Sequence, residues 1–335
     1  MTGRSLKSVN HFIEGLRKGD RIILSECITL AESTHPEKQK LARTILELAE
    51  GFRNKNSIRI AVTGTPGVGK STFIERFGLL LTTMHKKVGV LSIDPSSPQS
   101  KGSILGDKTR MPVLSTHPLA YVRPSPSGNV LGGVAANTKE SILLCEAAQF
   151  DVILVETVGV GQSESDVKNM TDLTILLLQP GAGDDLQGIK RGIVEMADIV
   201  IVHKADGMQS DLARQTKKFY EEALHYFHHD IPDWNVPVVL ASSVDNTGIE
   251  LVNDTVWNFF QLLKQNHLFQ KKRISQELLW FEHQIPVMAY SWLKKDIRFS
   301  LRTEEIVRKI HEGSLNASIG IRDLYQDLQE IFKND

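Results

Sequence analysis

Cysteine is almost missing from this chain. Only Cys27 and Cys145 occur in 335 residues, far apart, which excludes a disulfide framework or a cysteine-built zinc site and fits a reducing cytoplasm. An excess of one charge is lacking as well. Lys and Arg number 39 against 40 Asp and Glu, for a net charge of -1, so no broad field favours nucleic acid or an anionic membrane as partner. Long apolar runs are absent too: nothing approaches the ~18 residues that a membrane span needs. The first thirty residues mix charge with apolar positions instead of forming an export signal, so the chain reads as soluble and unprocessed. What remains, 41% hydrophobic and 24% charged, suffices for one large core with appended elements.

Helical periodicity runs from about Lys7 to Phe52, with Pro36 near the start of the second helix. Short β-branched runs follow: Ile58 to Val62, Val88 to Ile93, Val152 to Val155, Leu173 to Leu178, Ile199 to Val202 and Val238 to Ala241. Continuous apolar runs of this length read as buried parallel strands. The helical patterns between them supply the crossovers that parallel strands require. From about Phe259 only charged amphipathic helices remain. The expected fold is therefore α/β, a doubly wound and mostly parallel sheet. The expected regions are an N-terminal helical extension (1–55), the core (56–262) and a C-terminal helical arm (263–335).

Gly64-Thr-Pro-Gly-Val-Gly-Lys-Ser71 satisfies the pattern G-x-x-x-x-G-K-[ST] between a predicted strand and a predicted helix. In that context glycines let the backbone curl around phosphate, and a helix N-terminus adds favourable dipole. Lys70 neutralises β/γ charge and Ser71 ligates Mg²⁺. The nucleotide-binding set here is Gly64, Thr65, Pro66, Gly67, Val68, Gly69, Lys70, Ser71 and Thr72.

Two predicted strands end in acids, where open α/β sheets hold their ligands. Asp94 can reach a metal shell, and Glu156 is the candidate for holding a metal-bound or attacking water. Asp107 is a third candidate in the loop after Asp94. Phosphoryl transfer asks mainly for positioning and charge neutralisation, which Lys70, Ser71, Mg²⁺ and these carboxylates supply. The glycine-rich run Gln179 to Lys190 lies at the same edge and reads as a switch or partner-sensing loop.

The fifth predicted strand leads into His203-Lys-Ala-Asp206, close to the Asn-Lys-x-Asp pattern of guanine-binding proteins, and the sixth into Ser242-Ser243-Val244. Asp206 can accept from guanine N1–H and N2–H, which adenine does not offer. The imidazole of His203 in place of a carboxamide either donates to the base or braces the loop. His225, His228 and His229 share one helical stretch, but no cysteine or acidic cluster joins them, so a solvated face accounts for them. Trp280 and Trp292 read as packing residues.

Gly64-Thr-Pro-Gly-Val-Gly-Lys-Ser-Thr72, Ile93-Asp-Pro-Ser-Ser97, Arg123-Pro-Ser-Pro-Ser-Gly128, Glu156-Thr-Val-Gly-Val-Gly-Gln-Ser-Glu164 and the run from Gln179 to Lys190 together resemble the ArgK/MeaB family, relatives of the human methylmalonic aciduria type A protein. The likeness covers nearly the whole chain. It implies a GTPase with GTP/GDP and Mg²⁺ as ligands. That GTPase chaperones an adenosylcobalamin-dependent acyl-CoA mutase, usually methylmalonyl-CoA mutase, by gating cofactor loading and protecting the mutase. It also implies that Ser71, Asp94, Asp107 and Glu156 are magnesium and switch positions, that residues 180–190 form a third switch, and that the C-terminal helices are a homodimer arm. Cobalamin belongs to the mutase. The rival readings are a phosphotransferase, which needs an acceptor site, and a nickel metallochaperone, which needs a Cys/His cluster.

Overall fold

The computed structural model describes residues 8–94, 110–126, 133–157, 163–181, 191–226 and 229–333. They form two compact units, Met1–Gln276 and Glu277–Asp335. The first opens with three helices, α1 (Val9–Arg17), α2 (Arg21–Ala31) and α3 (Pro36–Ala49). Asp20 caps α2 by accepting from the N–H groups of Ile22 and Ile23, and Pro36 supplies the preset φ of a first turn.

Strands and helices then alternate: β1 (Ile58–Gly64), α4 (Lys70–Thr83), β2 (Val88–Asp94), β3 (Ala120–Pro126), α5 (Gly133–Ala147), β4 (Val152–Glu156), α6 (Ser163–Lys168), β5 (Leu173–Leu178), α7 (Arg191–Glu195), β6 (Ile199–His203), α8 (Ser210–Leu224), β7 (Val238–Ala241) and α9 (Ile249–Gln265). All strand pairs are parallel, in the order β3-β2-β4-β1-β5-β6-β7. The doubly wound α/β sheet expected from the sequence is thus present, with one strand more. The extra strand is β3. Pro124 and Pro126 carry no N–H and argue against a ladder, yet β3 lies at the sheet edge and pairs only with β2, so its outer side needs no donors.

β1 lies at the centre, with Val62 beside Glu156 of β4 and Gly64 beside Leu177 of β5. Chain order reverses there, which places a ligand crevice outside the carboxyl ends of the strands. On one face Ile58, Ile60 and Val62 bury against Phe73 and Phe77 of α4 and Phe259 and Phe260 of α9. On the other, Ala61, Ile153 and Val155 share a cluster with Phe12, Leu16, Leu24, Ile28 and Ile45 from α1–α3. Each such side chain contributes about 1.5–3 kcal/mol by burial, so α1–α3 form a covering layer of the sheet.

The helix after α9, α10 (Leu268–Leu293), is rooted in the first unit at the opposite sheet edge from the crevice. Its buried Arg273 donates to both carboxylate oxygens of Asp172, at 2.9 and 2.7 Å, and to the carbonyls of Lys55 and Ser57. In the second unit α11 (Ile297–His311) packs on α12 (Ala317–Lys333). A Cβ at Gly320 would stand 2.8 Å from Ile306, so this close crossing requires glycine. Among the described residues no helix is long and apolar enough to cross a membrane.

Candidate phosphate and base site

β1 delivers the chain to Gly64, whose φ is +150° and where a Cβ would lie 2.5 Å from the carbonyl oxygen of Leu177. Gly69, with φ +98°, caps α4; a Cβ there would meet the His203 ring at 2.8 Å. Side chains are excluded at both points, and the loop curls tightly between them. The buried Lys70 folds back and donates to the carbonyls of Gly64 (2.8 Å) and Thr65 (3.2 Å). Lys204 donates to the carbonyl of Gly67 at 2.8 Å, and Nδ1 of His203 lies 2.8 Å from the carbonyl oxygen of Val68. A loop that receives an anion must turn its carbonyl oxygens away, and here Lys70, Lys204 and the His203 ring bind them. The N-terminus of α4 adds partial positive charge beside Lys70. Thr72 is exposed on the first turn and Pro66 on the loop.

Glu156 ends β4 between β1 and β2. Its Oε1 accepts from the Ser71 hydroxyl at 2.8 Å, and its Oε2 from the Ser92 hydroxyl at 3.0 Å. Ser71 gives its hydrogen to Glu156 and keeps oxygen lone pairs, the donor chemistry that a hard cation takes with a carboxylate behind its ligand. This pair fits Mg²⁺. Ser92, two residues before Asp94 on β2, was not singled out by motif. Asp94 ends β2 at the same sheet edge; its side chain lies outside the described set, as do Asp107, residues 158–162 and residues 182–190. The chain leaving β4 is tied to β1 by Thr157, whose N–H donates to Val62 (3.1 Å) and whose hydroxyl donates to Thr63 (3.0 Å).

At the other end of the crevice β6 and β7 bring two loops together, with the Ala205 N–H donating to Ala241 at 3.2 Å. Lys204 adopts φ +60°, an uncommon conformation for a side-chain-bearing residue that re-aims the chain toward Asp206. Oδ1 of Asp206 is buried without a hydrogen-bond partner among the described residues. Such an orphaned acceptor costs about 1–3 kcal/mol, and a ligand carrying N–H donors removes that cost. Ser242 and Ser243 are buried and Val244 exposed. The Ser242 N–H donates to Thr247 and its hydroxyl accepts from the Val244 N–H.

Of the two roles open to His203, the structure supplies the brace. The ring is buried, with Nε2 at 2.7 Å from the Ser243 hydroxyl. The Val68 carbonyl can only accept, so Nδ1 carries the proton and Nε2 accepts from Ser243. Burial and the neighbouring Lys204 hold the imidazole below its ordinary pKa, against the opposing pull of the Val68 carbonyl and Asp206. Arg76 of α4, which no motif flagged, donates to the Ser243 carbonyl at 3.1 Å.

Among the described residues the histidine stretch does not gather. His225 is exposed, His228 lies outside the described residues, and His229 pairs with the buried Asp198 at 2.9 Å instead of facing solvent. Among the described residues no group of three or more His, Cys, Asp or Glu is placed to hold a metal.

Known proteins resemble this chain along nearly its whole length. The family model described as "Methylmalonyl Co-A mutase-associated GTPase MeaB" matches residues 24–293. The chain is 39% identical over 317 residues to GTPase ArgK of Escherichia coli (strain K12), covering 95% of this chain and 96% of that protein. It is 41% identical over 327 residues to the mitochondrial methylmalonic aciduria type A homolog of Mus musculus, covering 94% of this chain and 78% of that protein. A solved structure titled as the LAO/AO transport system kinase superposes with a TM-score of 0.76 at 32% identity, over 98% of this chain and 100% of that one.

Proposed function

The chain belongs to the MeaB family of P-loop GTPases, and on that premise we propose that it binds GTP with Mg²⁺ and hydrolyses it to GDP and phosphate. The observation that carries the base assignment is the buried, unpartnered Asp206 oxygen at the crevice. Guanine brings N1–H and N2–H donors to it, whereas adenine presents an acceptor at N1. Lys70 and the curled loop from Gly64 to Gly69 hold the phosphates. Ser71 is the metal ligand supported by Glu156, and Asp94 and Asp107 complete the expected set. When bound, Mg²⁺ would supply charge neutralisation for the phosphate oxygens. Glu156 then orients water through its carboxylate while Ser71 and Ser92 fix its rotamer.

The regulatory reading follows the family: the GTPase chaperones an adenosylcobalamin-dependent acyl-CoA mutase, methylmalonyl-CoA mutase in the first instance, gating cofactor loading in the cytoplasm. A homodimer fits the arm. Along α10 the residues Leu278, Phe281, Ile285, Met288 and Trp292 recur at alternating spacings of three and four and are each at least 45% exposed, the pattern of a helix seam that a second copy can cover. Light scattering of the purified chain at twice the monomer mass supports this, and monomer mass refutes it.

The deciding experiment is calorimetric titration with GDP and ADP, then co-purification with acyl-CoA mutases in the presence of a non-hydrolysable GTP analogue. Equal affinity for both diphosphates sinks the GTPase reading, and no capture of any mutase sinks the chaperone reading. Because the superposing solved structure is titled a kinase, a γ-labelled GTP assay is also required. Label on protein or an amino acid instead of inorganic phosphate favours transfer.

A further inference from the structure

We propose that His203 is a positioning residue that braces three loops without reading the base, so that N7 of the purine goes unrecognised at residue 203. The inference rests on the guanine reading of the crevice.

An imidazole has two nitrogens, and here both are committed. Nδ1–H donates to the Val68 carbonyl in the phosphate loop, and Nε2 accepts from the Ser243 hydroxyl beyond β7. The ring is only 2% exposed and presents an edge to Phe73 at a centroid distance of 6.1 Å. No further N–H is available, and Gly69 backs the ring so closely that a Cβ there would lie 2.8 Å from it. Ser243 is fixed in turn by Arg76 from α4. The loop from Gly64 to Gly69, the end of β6 and the end of β7 are thus joined through one neutral ring.

Guanine offers donors at N1 and N2 and acceptors at O6 and N7. The Asp206 carboxylate serves only the donors. A carboxamide at position 203 has two N–H groups and a carbonyl. It could donate once to Val68, accept once from Ser243 and still hold one N–H for N7. The imidazole keeps both brace bonds and deletes that spare donor.

The test is calorimetric titration of the full chain with GDP, 7-deaza-GDP, in which a C–H replaces N7, and ADP. The wild type is expected to bind GDP and 7-deaza-GDP within twofold of each other and ADP at least 100-fold more weakly. In H203N the 7-deaza penalty should rise to about fivefold, the worth of one neutral hydrogen bond. H203A should weaken both guanine nucleotides by one common factor, and H203N should recover most of that loss. A wild-type penalty of fivefold or more for 7-deaza-GDP overturns the inference, and that comparison needs no variant to fold. GDP binding no better than ADP is a different outcome: it removes the guanine reading beneath the inference.

Discussion

Replacing Asp206 by Asn exchanges one oxygen for an NH₂ group at a buried acceptor that has no partner among the described residues. In the proposed guanine complex the carboxylate faces two N–H donors of the base, and hydrogen bonds to a charged group contribute about 1.5–3 kcal/mol each. The amide retains one acceptor and sets its NH₂ against the second donor, so one bond is lost and a donor–donor contact is created. The net loss is about 2–4 kcal/mol, a ~30- to 1,000-fold weaker GDP complex. Xanthosine diphosphate, with a carbonyl in place of the 2-amino group, should bind the variant better than GDP does, because the amide then donates to O2 and accepts from N1–H. Stability should move the other way. In the nucleotide-free wild type the buried Oδ1 is unsatisfied, so D206N should leave the melting temperature unchanged or raise it. Calorimetry with both nucleotides and a thermal melt of the free protein check these outcomes together. Unchanged GDP affinity, or a loss of affinity with no gain for the xanthine nucleotide, would refute the placement of the base at Asp206.

Lys70→Ala removes the cation that spans the curled loop, and binding of a GTP analogue should fall below detection at 100 µM, or roughly 100-fold; retained tight binding contradicts the assignment of the loop. Glu156→Gln leaves only one acceptor for the hydroxyls of Ser71 and Ser92, so single-turnover phosphate release should slow roughly 100-fold while GDP affinity stays within a few-fold. Arg273→Ala leaves the buried Asp172 carboxylate without its cation, and should cost about 3–5 kcal/mol; a urea melt showing less than 1 kcal/mol argues against it. His203 titrates below its ordinary value in the folded protein, so the unfolded chain takes up a proton first as pH falls. The stability this residue contributes is complete above about pH 6.5 and is lost as pH drops toward the depressed value, at up to ~1.4 kcal/mol per pH unit. H203N should flatten that part of the pH–stability curve, and an unaltered curve would count against a buried neutral ring.

Much of the site was legible because its signals are local. The phosphate loop is a run of adjacent residues whose glycines answer steric demands within a few ångströms. Six strands announced themselves by continuous β-branched runs, because a strand covered on both faces has no polar side to show. β3 hid because Pro124 and Pro126 break the pattern of an interior strand, and only its place at the sheet edge makes them harmless. Ser92 and Arg76 hid for another reason: a serine on a strand and an arginine on a helix carry no motif until folding sets them beside Glu156 and Ser243.

The order of residues along the chain therefore determined the parallel α/β architecture, the phosphate loop and the acidic strand ends, since periodicity and turn chemistry act over short spans. It left His203 with two roles. The choice fell to the tertiary structure, because Val68 stands 135 residues away in the chain and hydrogen bonds form only within about 3 Å. Only the parallel register of β1, β5, β6 and β7 and the short loops beyond them bring that carbonyl and the Ser243 hydroxyl to the two nitrogens of one buried ring.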